Sequence, residues 1–196
     1  MKKLVAIKTN VQLDNKAVED IYKIIRDTKN YSTYMSFADN TPANFEIIHP
    51  NLIKQYSNIK KIVEEIEDKI KYKSNGGMVL KVPKNDTMEI HWDKSKLRST
   101  VFSFWFPLYE NEDIAKTYFY KTGVGPPFAK QRDQHIDAEV IYDKPFTGVF
   151  LNTQEFHDVA LSKNYDRHTF QLRFTDMIDK LENAIDDQLI EEKFYV

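Results

Sequence analysis

Met88-Glu89-Ile90-His91-Trp92-Asp93 is the stretch on which the reading of this chain turns. It reads as a short strand that ends by presenting an imidazole and a carboxylate together. Successive strand side chains point to opposite faces, so His91 and Asp93 share one face and Trp92 points away. Two such groups can hold one side of a metal ion and leave its other side open. A third ligand must then come from elsewhere, and the best candidate is His157, in Phe150-Leu-Asn-Thr-Gln-Glu-Phe-His157-Asp-Val. That segment also closes an apolar run. A His-x-Asp by itself is a weak pattern, and its weight here comes from the residues that follow it.

Composition limits the chemistry. The 196 residues fit a single domain over 1–196, in which roughly 70% of the unfolded chain's surface can be buried. There is no Cys, which excludes disulfides, thiolate metal sites and a Cys nucleophile. A metal would be bound by His and carboxylate, a set that suits Fe, Mn or Zn. The 28 basic and 30 acidic residues are interspersed, so nucleic acid and anionic membrane are not favoured partners. The apolar run in Met-Lys-Lys-Leu-Val-Ala-Ile stops at Lys8, too early for a signal peptide, and no run approaches a membrane span. The expectation is a cytoplasmic protein.

The helical period dominates about residues 1–77. After a short strand over 3–8, Asp14-Asn15 is placed to cap a helix carrying Ala17, Val18, Ile21, Ile24 and Ile25 on one stripe. Tyr31 to Pro50 reads as an irregular connection. Asn51 to Lys73 is the clearest helix, closed by Asn75-Gly76-Gly77. From Met78 the period changes to two. Eight runs rich in Val, Phe, Tyr and Thr follow, at 78–82, 87–92, 99–108, 116–121, 138–142, 147–151, 155–161 and 167–174. Thr175-Asp176 is placed to cap a last helix reaching about Lys193. Eight short strands with helices at both ends predict an α+β, mainly β fold. The expected form is a double-stranded β-helix (a cupin-like jelly roll) over about 78–175, braced by the N-terminal helices and the C-terminal helix.

Ten residues beyond His157 stands Arg167, opening Arg167-His168-Thr169-Phe170-Gln171-Leu172-Arg173-Phe174. As a strand it puts Arg167, Thr169, Gln171 and Arg173 on one face and the apolar residues on the other. A guanidinium with a hydroxyl two residues on suits a small dicarboxylate, because the guanidinium pairs bidentately with a carboxylate. Arg173 is a rival for that role.

With these residues assembled, the chain resembles the Fe(II)/2-oxoglutarate-dependent oxygenases, and small phage and bacterial members in particular. Their shared pattern is matched by His91-Trp92-Asp93, His157 and Arg167-His168-Thr169. Phe106-Pro107-Leu108 and Asn152-Thr153 match the flanking features of the small members. The resemblance covers about residues 78 to 175. It implies Fe(II) held by His91, Asp93 and His157, with the distal carboxylate of the cosubstrate 2-oxoglutarate on Arg167, helped by Thr169. It also implies hydroxylation of a small-molecule or peptide substrate, with release of succinate and CO2.

Tyr118, Tyr120 and Arg98 are further candidates for the cosubstrate pocket, the two tyrosines competing with a plain core role. The insert from Thr122 to Asp137 is placed to shape substrate entry. Two alternatives stay open: a cupin-like metalloenzyme that does not use 2-oxoglutarate, and a non-catalytic jelly-roll binding or structural module. Oligomeric state is not legible.

Overall fold

The computed structural model describes residues 2–27, 32–35, 42–48, 57–84, 90–93, 99–109, 112, 115–121, 136–142, 144–159 and 164–196. The elements run β1 (Leu4–Gln12), α1 (Asn15–Asp27), β2 (Ser32–Met35), β3 (Pro42–Ile48), α2 (Ser57–Ile70) and β4 (Gly77–Val82). They continue with β5 (Thr100–Phe106), β6 (Lys116–Tyr120), β7 (Ile136–Ile141), β8 (Thr147–Asn152), β9 (His157–Val159), β10 (Arg167–Phe174), α3 (Ile178–Glu182) and β11 (Ile190–Tyr195). The molecule is mainly β with few helices. One eight-stranded sheet has the order β11-β1-β8-β5-β10-β4-β3-β2, and one three-stranded sheet has the order β7-β6-β9. Among the described residues all of the strand pairs are antiparallel.

Alternation in the central strands builds two cores. In β5, Phe102, Phe104 and Phe106 point to one side, where they meet Ile21 and Ile24 of α1, Ile59, Ile62 and Ile66 of α2, and Ile178 of α3. The next positions, Val101 and Trp105, point to the other side and join Phe119, Ala138 and Val140 of the small sheet. Every residue of β5 is therefore buried. Phe102 stacks on Phe150 of β8 with ring centroids 4.1 Å apart, and burying each such ring contributes about 1.5–3 kcal/mol. The helices brace one face of the large sheet, as the sequence predicts. The other face is left to the small sheet.

The helix starts and stops are local chemistry. Asp14 caps α1, its Oδ1 accepting from Ala17 N at 2.7 Å. The second helix ends at Ile70, earlier than expected. Lys71, at φ 57°, takes the left-handed position there, and Gly76, at φ 105°, turns the chain into β4.

Two expectations are corrected. The 31–50 connection contains the β2–β3 hairpin, which joins the large sheet through β4. Phe45-Glu-Ile-Ile48 is a strand-forming run, and Pro42 stands at the strand's first residue, where a missing N–H is tolerated. The long C-terminal helix is replaced by the short α3, a 3-10 turn at Asp187–Leu189, and β11 on the sheet edge. Asn183 stops α3, and pairing with β1 satisfies the backbone of Ile190–Tyr195, which outweighs the helical spacing of Ile185, Leu189 and Ile190. Of the expected 87–92 strand, 87–89 lie outside the described residues, and His91 forms an isolated antiparallel bridge with His157. The N-terminal 77 residues thus supply three strands of the large sheet as well as two helices.

Candidate metal centre

The segment Ile90–Asp93 is held by backbone contacts to the turn between β8 and β9. His91 N donates to His157 O at 2.9 Å and His157 N donates to His91 O at 2.8 Å. Two residues on, Asp93 N donates to Thr153 O at 2.7 Å, and the Gln154 Nε2 amide donates to Asp93 O at 2.6 Å. The turn is itself fixed. Asn152 accepts from Gln154 N through Oδ1 and donates through Nδ2 to Leu4 O of β1.

These contacts bring His91, Asp93 and His157 together, with one possible ligand atom of each lying within 4.8 Å of the others. His157 is buried, whereas His91 and Asp93 are half-buried, so the cluster has one wet side. The two imidazoles lie with ring centroids 4.5 Å apart. His157 Nδ1 sits 2.8 Å from the carbonyl of Glu155. A carbonyl only accepts, so Nδ1 carries the proton and Nε2 keeps its lone pair for coordination. Burial, reinforced by His91 and only partly opposed by Asp93, pulls the His157 pKa down to about 4. It is neutral at pH 7, as a metal ligand must be. Glu155 is anchored in turn by Lys3, Nζ to Oε1 at 3.0 Å.

Arg167 opens β10 on the face that looks toward the small sheet. On that face the partner of Thr169 is Trp105 and the partner of Arg173 is Val101, both in the inter-sheet core. The Arg167 side chain is buried. Its Nη1 donates to Lys116 O at 3.2 Å and its Nη2 to Thr117 Oγ1 at 3.4 Å, while the guanidinium lies 5.5 Å from the centroid of the Tyr142 ring. Its Nε has no hydrogen-bond partner among the described residues. Tyr142 OH lies against Ser103, Thr117 and Arg167, and burial raises its pKa, so it stays a protonated donor. The Arg167 guanidinium and the hydroxyls of Thr117, Ser103 and Tyr142 thus form one buried group of donors whose chemistry suits an oxyanion.

The other sequence candidates are placed as follows. Thr169 is buried on the Arg167 face, but its hydroxyl accepts from Gln171 Nε2 at 3.2 Å, and the hydroxyls beside Arg167 are those of Thr117 and Tyr142. Tyr118 is corrected. It lies between Thr117 and Phe119, both buried toward the inter-sheet core, and alternation turns it to the outer face, in register with Asp158 and Glu139. Tyr120 is fully buried where β6 ends. Arg98 lies outside the described residues, as does 122–135 of the insert. Arg173 shares the Arg167 face six residues on, about 20 Å along the strand at roughly 3.3 Å per residue.

Sequence reading missed Tyr142, Ser103, Thr117 and Gln154. Ser103 had a signal: it is the one polar residue inside Val101-Phe-Ser-Phe-Trp-Phe106.

No family model matches the chain. No curated protein matches it either. Solved structures do, and one of them is AviO1 from Streptomyces viridochromogenes Tue57. The TM-score is 0.52 at 9% identity, over 89% of this chain and 90% of that one. The two chains share a fold. Looser likenesses include SnoK, a non-heme alpha-ketoglutarate-dependent carbocyclase from nogalamycin biosynthesis. It has a TM-score of 0.46 and 11% identity, over 100% of this chain and 92% of that one. Another is the epimerase SnoN in complex with Fe3+, alpha-ketoglutarate and nogalamycin RO, with a TM-score of 0.42 and 12% identity, over 88% of this chain and 79% of that one. No helix among the described residues is long and apolar enough to cross a membrane.

Proposed function

We propose that this protein is an Fe(II)- and 2-oxoglutarate-dependent oxygenase that hydroxylates a small molecule or a side chain. The proposed scaffold is a double-stranded β-helix, with its metal end at the β8–β9 turn. The observation that carries the reading is the joint placement of a His91–Asp93–His157 cluster and a buried Arg167 with unfilled hydrogen-bonding capacity. Two His and one carboxylate with open positions is the donor set of non-heme Fe(II) oxygenases.

The chain's own residues divide the work. Asp93 supplies the one negative charge of the ligand set. His157 is held in one tautomer by the Glu155 carbonyl, so Nε2 would be free to bind the metal with no proton to displace. The half-exposed side of the cluster leaves coordination positions for exchangeable ligands. Arg167 pairs with the distal carboxylate of 2-oxoglutarate, which Tyr142 and Ser103 complete as hydroxyl donors. Phe119, 5.8 Å from the His157 ring, makes the buried side of the cluster apolar. Bound there, Fe(II) with 2-oxoglutarate and O2 supplies a two-electron oxidation that converts C–H to C–OH and releases succinate and CO2.

The test is succinate formation from 2-oxoglutarate, with and without Fe(II). Slow Fe(II)-dependent turnover that needs Arg167 supports the reading. Metal binding with no response to 2-oxoglutarate moves the protein to metalloenzymes that use other cosubstrates.

A further inference from the structure

The turn after β8 carries the chain from the large sheet to the small one, and so sets where His157 stands. Two consecutive residues where β1 begins grip that turn. Leu4 O accepts from Asn152 Nδ2 at 3.4 Å, at the start of the turn. Lys3 Nζ donates to both carboxylate oxygens of Glu155, at 3.0 and 3.3 Å, near its end. Lys3 is itself held by Val196, the two residues exchanging backbone hydrogen bonds at 2.8 and 2.9 Å. The backbone tie on Glu155 is looser, its N–H reaching Asn152 O at 3.3 Å. The carbonyl of the same Glu155 sits 2.8 Å from His157 Nδ1. One residue thus takes the Lys3 tether on its side chain and the His157 proton on its backbone.

We propose that Lys3 is a positioning residue of the metal centre, acting through Glu155 on the tautomer and direction of the His157 ring. The proposal rests on the functional reading above and adds to it a residue that stands 152 positions from Glu155 in the chain. The tautomer of an imidazole is set by the hydrogen bond that its other nitrogen makes. The Glu155 carbonyl does this only while the Glu155 backbone is held, and the ion pair restrains that backbone from the side-chain end. The Lys3 side chain is half exposed and that of Glu155 mostly covered, so the pair contributes little to global stability. Its effect is local. The sign of that effect separates positioning from charge. By Coulomb repulsion alone, the Lys3 ammonium disfavours a divalent cation nearby. Removing it strengthens cation binding if Lys3 acts through its field, and weakens binding if Lys3 acts by holding the turn.

Chelator competition for Mn(II), together with nitrogen NMR spectra of the imidazoles in the apoprotein, tests this without turnover. Lys3→Met keeps the reach of the side chain and removes its charge. Its Mn(II) affinity is expected to fall about two- to fivefold, the range an exposed ion pair can supply, with the urea midpoint unchanged. In the wild-type apoprotein His157 is expected to carry its proton on Nδ1, and in Lys3→Met the Nε2 form appears beside it. Lys3→Arg, which can also pair with the Glu155 carboxylate, restores both readouts. In about 1 M salt, where the screening length is about 3 Å, the affinity gap between wild type and Lys3→Met closes. Mn(II) binding by Lys3→Met that equals or exceeds wild type overturns the proposal, and so does a His157 tautomer that this variant leaves unchanged. A wild-type protein that binds no Mn(II) overturns the functional reading itself, and the proposal with it.

Discussion

His91 and His157 are joined by a reciprocal pair of backbone hydrogen bonds, each residue's N–H donating to the other's carbonyl. Two candidate ligands distant in the chain are thereby held in register by the backbone alone. On the proposed function, a metal ion entering the cluster would not have to order them, so less conformational entropy would be lost on binding.

Gln154 extends this lock to Asp93, the third proposed ligand, through its 2.6 Å bond to the Asp93 carbonyl. Gln154→Ala removes that bond without touching a ligand atom. The expected result is metal affinity lowered about 10-fold, at the low end of the range for outer-shell partners. Competition for Mn(II) against a chelator measures it. An unchanged dissociation constant means the backbone pairs alone hold Asp93.

Arg167 is buried with hydrogen-bonding capacity to spare, whereas Tyr118 faces away from it. Arg167→Lys keeps the charge but loses the bidentate fork, and 2-oxoglutarate binding is expected to weaken by one to two orders of magnitude. Tyr118→Phe is expected to leave binding unchanged. Equal losses in the two variants, measured by calorimetry on the Mn(II)-loaded protein, contradict this placement.

Gly148 is the point where β8 lies under an aromatic ring. A Cβ built there falls 2.0 Å from Cζ of Phe102, which is stacked on Phe150. Gly148→Ala forces that stack to move. A loss of about 1–3 kcal/mol is expected, read as a lower midpoint in urea. Wild-type stability in this variant means the ring has room to slide.

Glu67 carries the clearest pH dependence of stability. Burial pushes its carboxyl upward, but hydrogen bonds from Lys73 Nζ, Ser74 N and Ser74 Oγ outweigh it and hold the pKa below its ordinary value. The unfolded chain titrates at roughly 4.3. The stabilisation is therefore full above that pH and drains away as the pH falls through the lower folded value. Glu67→Gln is expected to cost about 1–2 kcal/mol at pH 7 and progressively less below pH ~4. A difference from wild type that stays constant from pH 7 to pH 3.5 contradicts the linkage.

The parts of this molecule that were legible in the sequence are those where local spacing carries the information. The two faces of β10, with Arg167 and Thr169 against Phe170 and Leu172, follow from a period of two, and α1 follows from one stripe and one cap. His91 and Asp93 could be put forward together as candidate ligands because both sit in one short motif. Pairing across distance was not. The edge position of β11 depends on β1 offering it a free ladder, and the helical spacing of Ile185 and Leu189 points the other way. Tyr142 was hidden for the same reason, since its place beside Arg167 is created by the packing of two sheets. Tyr118 was misread because which face of β6 turns inward is set by Phe119 meeting the inter-sheet core.

The central claim is tested most directly by anaerobic titration of the apoprotein with Fe(II) and then 2-oxoglutarate, following visible charge-transfer absorption of the chelated cosubstrate. The account predicts a band that needs both additions and is lost in His91→Ala and in Arg167→Ala. A band that survives in His91→Ala, or a wild-type protein that binds no Fe(II), contradicts it.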